Sequence, residues 1–325
     1  MKKLILFFTL ALLSSEAFAL KLKVGVLAPD GTTWATNLKK LSKEISKATD
    51  GKVKIKYYFG GSQGDEEDVL RKVRVGQLHG GVFTGKTLGE IHGDFRVLEV
   101  PFNFKGDREK AKKALIDLGP HIDAGFKEKG FINLGLSEIG SVYFVSKKPI
   151  NKLNDLKGIK IWAWQGDKLV DAFVNEMKLV SVPLALPDVL SSLSTGIIEA
   201  AYAPPLAILA LQWNTKVTHL LDLPLSYSFG AFLLGEKAFK KIDKKYQSKV
   251  VEIAQKHIQK INDGNFQDNQ QAMMGLKLSG IKFTKLSEAD IKVADELRKK
   301  MLQKLNGPLF SQKSLKLLEK SLQGK

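Results

Sequence analysis

The sequence predicts an α/β chain of two domains, and three observations carry that expectation. Strand-like and helix-like periodicities alternate along most of the chain. About three hundred residues follow an N-terminal leader, which is more than one ordinary core takes up. Near the C-terminus, residues 244–278 read as nearly unbroken helix, with Gly264 a break near the middle. At 1.5 Å rise per residue such a helix extends about 50 Å, longer than one small domain is wide.

The leader comes first. MKK is a short basic segment, LILFFTLALL (4–13) is an apolar run too short to span a bilayer, and Ala17-Phe18-Ala19 is a small-residue cleavage site. We expect cleavage after Ala19 and export to the periplasm of a bacterium. No later run is apolar enough for a transmembrane helix. The chain has no cysteine, hence no disulfide and no cysteine for a lipid anchor.

LKLKVGVLAP (20–29) alternates as a first strand. Thr32 or Thr33 caps a helix from Trp34 to about Ala48, with Leu38, Leu41 and Ile45 on one face. KVKIKYYF (52–59) is a second strand. A glycine-rich turn, GGSQG, leads into an acidic helix start that suits the helix dipole. GGVF (80–83) is a short strand, and a helix from Glu109 to about Lys129 is expected to break at Gly119-Pro120. FINLGLSEIGSVYFVSKKPI holds one or two strands. IKIWAWQGD (159–167) is a strand ending in a turn, with Lys160, Trp162 and Trp164 on one face. A helix near 168–177, a strand at 179–185, a helix from Pro187 to Thr195 stopped by Gly196, and a strand at 197–204 follow. Beyond the long helix, 287–305 reads as helix again.

The formal charge is +17, yet only five of the 51 basic residues are arginine. Nucleic-acid and phosphate sites favour arginine's planar fork, so the scattered lysines, such as Lys39-Lys40 and Lys240–Lys245, read as solvated faces and no nucleic-acid partner is expected. None of His79, His92, His121, His219 and His257 sits at metal-ligand spacing from another histidine. No nucleophile elbow or Walker loop is present. The expectation is a binding protein without metal or cofactor, not an enzyme.

Several segments together resemble one family. PDGTTW (29–34), TDGKVKIKYYFGGSQGDEEDVLRKVRVGQLHGG (49–81), VPFNF (100–104), KKPINKLNDLKGIKIW (147–162) and VPLALPDVLSSLSTGIIEAAYAPP (182–205) are similar, in order and spacing, to solute-binding proteins of TRAP transporters of the dicarboxylate-receptor (DctP) type. The resemblance implies a periplasmic binding protein fold, with two α/β domains, an interdomain cleft, crossing hinge strands and a long bridging helix. The division it suggests is 20–145 plus 233–265 and 146–232 plus 266–325. It also implies a small ligand and a membrane permease driven by an ion gradient, not by ATP.

Where typical members carry a carboxylate-clamping arginine, this chain carries Trp162. Lys160 shares its face but offers a point charge, not a fork. Trp164, Tyr202, Trp213 and Phe229 follow, and Trp34 and Phe83 are expected to face the cleft from the first domain. Gln63, Glu138 and Asp188 are candidates to orient a ligand. The W-x-W-x-G-D and P-D-V-L runs resemble a smaller branch thought to admit hydrophobic ligands, some members of which work beside a tetratricopeptide-repeat protein. The expected ligand is therefore largely apolar or amphipathic. An ordinary organic-acid receptor, a sensor module and a periplasmic enzyme stay open as alternatives.

Overall fold

The computed structural model describes residues 19–323, and the expected leader lies outside them apart from Ala19. Among the described residues no helix is long and apolar enough to cross a membrane. β1 (Leu20–Val26) leads into α1 (Thr33–Ala48), where the Thr32 hydroxyl accepts from the Ala35 amide at 3.2 Å. Leu38, Leu41 and Ile45 turn inward as predicted. β2 (Val53–Tyr58) and β3 (Gly80–Thr84) pair in parallel on either side of β1. Between them α2 (Glu66–Arg74) opens on a capping box from Asp65 and Asp68, which satisfies amides a helix start leaves free.

Two short elements that the sequence reading did not anticipate come next, α3 (Gly85–Ile91) and a 3-10 turn over Gly93–Glu99. α4 (Arg108–Glu128) then continues through Pro120, where a break was expected. The proline removes one amide donor, but Pro120 and Ile116 both lie on the exposed face, so the freed carbonyl is not sealed into the core.

β4 (Phe131–Ser146) is one continuous strand of 16 residues. It is followed by β5 (Lys160–Ala163), α5 (Lys168–Met177), β6 (Val180–Pro183), α6 (Val189–Thr195), β7 (Ala200–Ala203) and α7 (Pro205–Ala210). β8 (His219–Gly235) returns antiparallel to β4 along nearly its whole length. The remainder is α8 (Glu236–Phe239), α9 (Lys244–Leu278), β9 (Lys282–Thr284), α10 (Glu288–Leu305) and α11 (Gln312–Leu322).

The sheet runs β2-β1-β3-β8-β4-β7-β5-β6, with β9 joined to β8. The long antiparallel pair β4–β8 therefore crosses from the β1–β3 half to the β5–β7 half. One apolar cluster lies between β1, β2, α1 and the first part of α9, and another surrounds Trp162, Trp213 and Leu276. A third extends from α2 and α4 to α5, α10 and α11. α11 rests on α4 and the 3-10 turn, elements that the sequence-based division places in the other domain.

α9 is held to the crossing strand by a polar ladder. The register of β4 against β8 shifts between Glu138 and Gly140. There the Glu138 amide donates to Asn262 (2.9 Å), and Asn265 and Asn269 donate to the Glu138 and Ile139 carbonyls (2.8 and 2.9 Å). The three asparagines share one helical face, at i, i+3 and i+7. Gly140 has φ +129°, and a Cβ there would lie 2.8 Å from the Asn269 amide nitrogen, so both backbone and packing call for glycine.

Candidate functional site

A cavity of about 270 Å³ opens between the two halves of the sheet. The end of β1 contributes Val26 to Pro29, α1 contributes Trp34, and β3 contributes Val82 and Thr84. From the other side come Ile161, Trp162, Trp164, Tyr202 and Trp213, with Leu186 and Leu211. Ile139, Val142 and Asn265 reach in from the crossing strand and α9.

The aromatic wall is ordered by its own contacts. Tyr202 stacks on Trp162 with centroids 5.1 Å apart and planes 24° apart, while Trp164 and Trp213 meet it edge-on at 4.8 and 5.4 Å. The Trp162 indole donates to the Leu184 carbonyl at 3.0 Å, so its polar atom is satisfied and its ring serves as wall. Trp164 donates to Asp65 at 3.3 Å, linking the end of β5 to the start of α2.

Five of the ten expected residues thus line the cavity: Trp34, Trp162, Trp164, Tyr202 and Trp213. Five do not. Phe83 is fully buried in the core, whereas its strand neighbours Val82 and Thr84 face the cavity. Phe229 is likewise buried against Phe104, while Ser226 and Ser228 face the cavity. In both strands the period of two turns the aromatic to the opposite side. Glu138 is buried but already bound, accepting from Arg108 at 3.0 and 3.2 Å and from the Tyr227 hydroxyl at 2.9 Å. Gln63 is held by Lys72, and Asp188 is exposed with no side-chain bond to the helix it precedes. Lys160 is exposed and absent from the lining.

The sequence reading missed the polar floor. Arg96 is 5% exposed, and its Nη2 donates to both oxygens of Asp167, at 2.8 and 2.9 Å, while Nη1 contacts Glu99. Burial opposes its charge, but Asp167 and Glu99 outweigh it and hold the guanidinium firmly protonated. Asp167 also caps α5 through the Leu169 amide at 3.0 Å, and Glu99 accepts from the Phe229 amide at 3.0 Å. Lys86 is turned onto Glu67 and Glu90. Both cations of the lining are therefore engaged by the protein's own carboxylates. The available signal was FRVLEVPF (95–102), where an arginine and a glutamate interrupt an apolar run three residues apart.

Among the described residues, four polar atoms of the lining have no partner: Glu66 Oε1, Thr84 Oγ1, Tyr202 Oη and Asn265 Oδ1. Glu66 is 4% exposed, and its other oxygen accepts from the Thr84 amide at 2.8 Å. Burial pushes its carboxyl up to about 7. The cavity thus combines an apolar aromatic wall, a neutralised ionic floor and a few unspent hydrogen-bonding groups, the usual make-up of a small-molecule pocket.

The family model for bacterial extracellular solute-binding protein, family 7 (DctP) matches residues 24–307, and the chain belongs to that family. Its fold is that of the TRAP periplasmic solute-binding proteins. DctP7 of Bordetella pertussis, an extracytoplasmic solute receptor binding pyroglutamic acid, superposes with a TM-score of 0.86 at 19% identity, covering 93% of this chain and 99% of that one. A TRAP periplasmic solute-binding protein from Desulfovibrio salexigens with bound orotic acid gives 0.85 at 20% identity, covering 94% and 99%. In sequence, a solute-binding protein of Verminephrobacter eiseniae is 25% identical over 217 residues, which are 66% of this chain and 64% of that relative.

Proposed function

We propose that this receptor captures, in the periplasm, one small ligand with a substantial apolar body and passes it to the permease subunits of a TRAP transporter. The observation that carries the ligand class is the state of Arg96. Both terminal nitrogens of its guanidinium are held by Asp167 and Glu99, and Trp162 stands where the family resemblance implies a carboxylate clamp. A ligand carboxylate would have to displace a buried aspartate, and breaking a buried pair costs about 3–5 kcal/mol. An apolar body instead covers Trp162, Tyr202 and Trp213. Glu66, Thr84, Tyr202 and Asn265 supply hydrogen bonds to a polar end. Binding and release, with no chemical step, is the activity assigned. Closure between the halves rests on the sequence-based division, and a tetratricopeptide-repeat partner rests on the branch resemblance.

Native mass spectrometry of the protein purified from its own periplasm tests this reading. The expected adduct dissociates to an apolar or amphipathic compound. A small dicarboxylate or sugar acid as the bound species contradicts it.

A further inference from the structure

We propose a second binding site, for a divalent transition-metal ion such as Zn²⁺, formed by His92, Asp94 and His121. The three residues offer ligand atoms that all lie within 4.8 Å of one another, and none of them lines the cavity. His92 follows α3, Asp94 opens the 3-10 turn, and His121 lies on α4. The fold assembles what the spacing 92, 94, 121 does not announce, which is why the histidines appeared unrelated in sequence.

The geometry points to a ligand at the vertex of the three groups. His121 Nε2 and Asp94 Oδ2 are 2.6 Å apart, and His92 Nε2 is 3.8 Å from the same oxygen. His92 Nε2 is buried and has no hydrogen-bond partner among the described residues. Its ring is seated deliberately. A Cβ at Gly125, one turn after His121 on α4, would lie 2.3 Å from the imidazole, and the Phe126 ring meets it edge-on at 6.2 Å. A tetrahedral ion at about 2.0–2.1 Å from each ligand separates them by about 3.4 Å. The His121–Asp94 pair opens and the His92–Asp94 pair closes by under about 1 Å to reach that arrangement, with solvent as the fourth ligand. Two imidazoles and one carboxylate suit zinc and its neighbours, whereas calcium and magnesium require mostly oxygen ligands.

The site has a mechanical consequence. Asp94 also accepts from the amide (2.5 Å) and hydroxyl (2.7 Å) of Ser311, the residue whose side chain caps α11. An ion there ties α4, the turn that carries Arg96 and Glu99, and the last helix into one unit.

The test uses the mature protein, stripped with chelator and titrated calorimetrically with Zn²⁺ alone. The expected result is one equivalent bound, at least tenfold weaker in His92→Ala and in His121→Ala and unchanged in His219→Ala. His92→Ala removes no hydrogen bond, so it should keep the fold, and circular dichroism of the metal-free variant verifies this. Zinc should raise the melting temperature of the wild type and not of His92→Ala. No binding by the wild type, or equal binding by wild type, His92→Ala and His121→Ala, overturns the proposal.

Discussion

At the scale of the residue, the site is decided by which polar groups are already spent. Arg96 looks like a ligand clamp until its partners are counted. Glu66 is the opposite case, a buried carboxyl with one free oxygen. Its value of about 7 against an ordinary 4.5 means that the folded protein holds this proton more tightly than the unfolded chain. Stability should therefore be unaffected by this group below about pH 4.5 and fall as pH rises towards 7, where the buried carboxylate must ionise. The whole effect is about 3 kcal/mol at 1.36 kcal/mol per unit. Glu66→Gln should remove it. Denaturant melts of the ligand-free protein at pH 5 and pH 8 are expected to converge in the variant, mainly by a gain at pH 8. An unchanged difference between the two pH values contradicts the assignment.

At the scale of the element, much was legible where periodicity and caps agree. α1 and α9 carry a helical apolar face, a capping residue at the start and few breakers, and their ends lie where the sequence places them. β8 was missed because HLLDLPLSYSFGAFLLG is buried on both sides over much of its length and so does not alternate, and it contains Pro224. Phe83 and Phe229 lie on the core side of their strands, because strand parity and not aromatic character sets which side chains face the cavity. Arg96 was invisible as a site residue because its partner Asp167 is 71 residues away. The asparagine ladder of α9 likewise has meaning only beside β4. Asn265→Ala leaves the buried Glu138 carbonyl without its donor, and such a loss costs about 1–3 kcal/mol. Equilibrium unfolding in urea should show that decrease. A change under about 0.5 kcal/mol would mean that the ladder does not hold the helix to the strand.

At the scale of the whole molecule, family and fold are shared with receptors of small acids, so the ligand class turns on a few side chains in a common frame. An arginine fork on a carboxylate makes two charged hydrogen bonds, each contributing about 1.5–3 kcal/mol. Without a free fork, a small dicarboxylate loses about two orders of magnitude or more in affinity. Covering roughly 150 Å² of apolar ligand at about 25 cal/mol per Å² contributes about 4 kcal/mol before ordering costs. On the proposed reading the balance favours an apolar body by a margin that calorimetry resolves. The direct measurement is titration of ligand-stripped mature protein with succinate, malate and galacturonate on one side and a panel of aromatic and medium-chain amphipathic compounds on the other. Binding confined to the second class, and weakened by Trp162→Arg, is the predicted result. Submicromolar binding of a C4 dicarboxylate with no response to any apolar compound contradicts it.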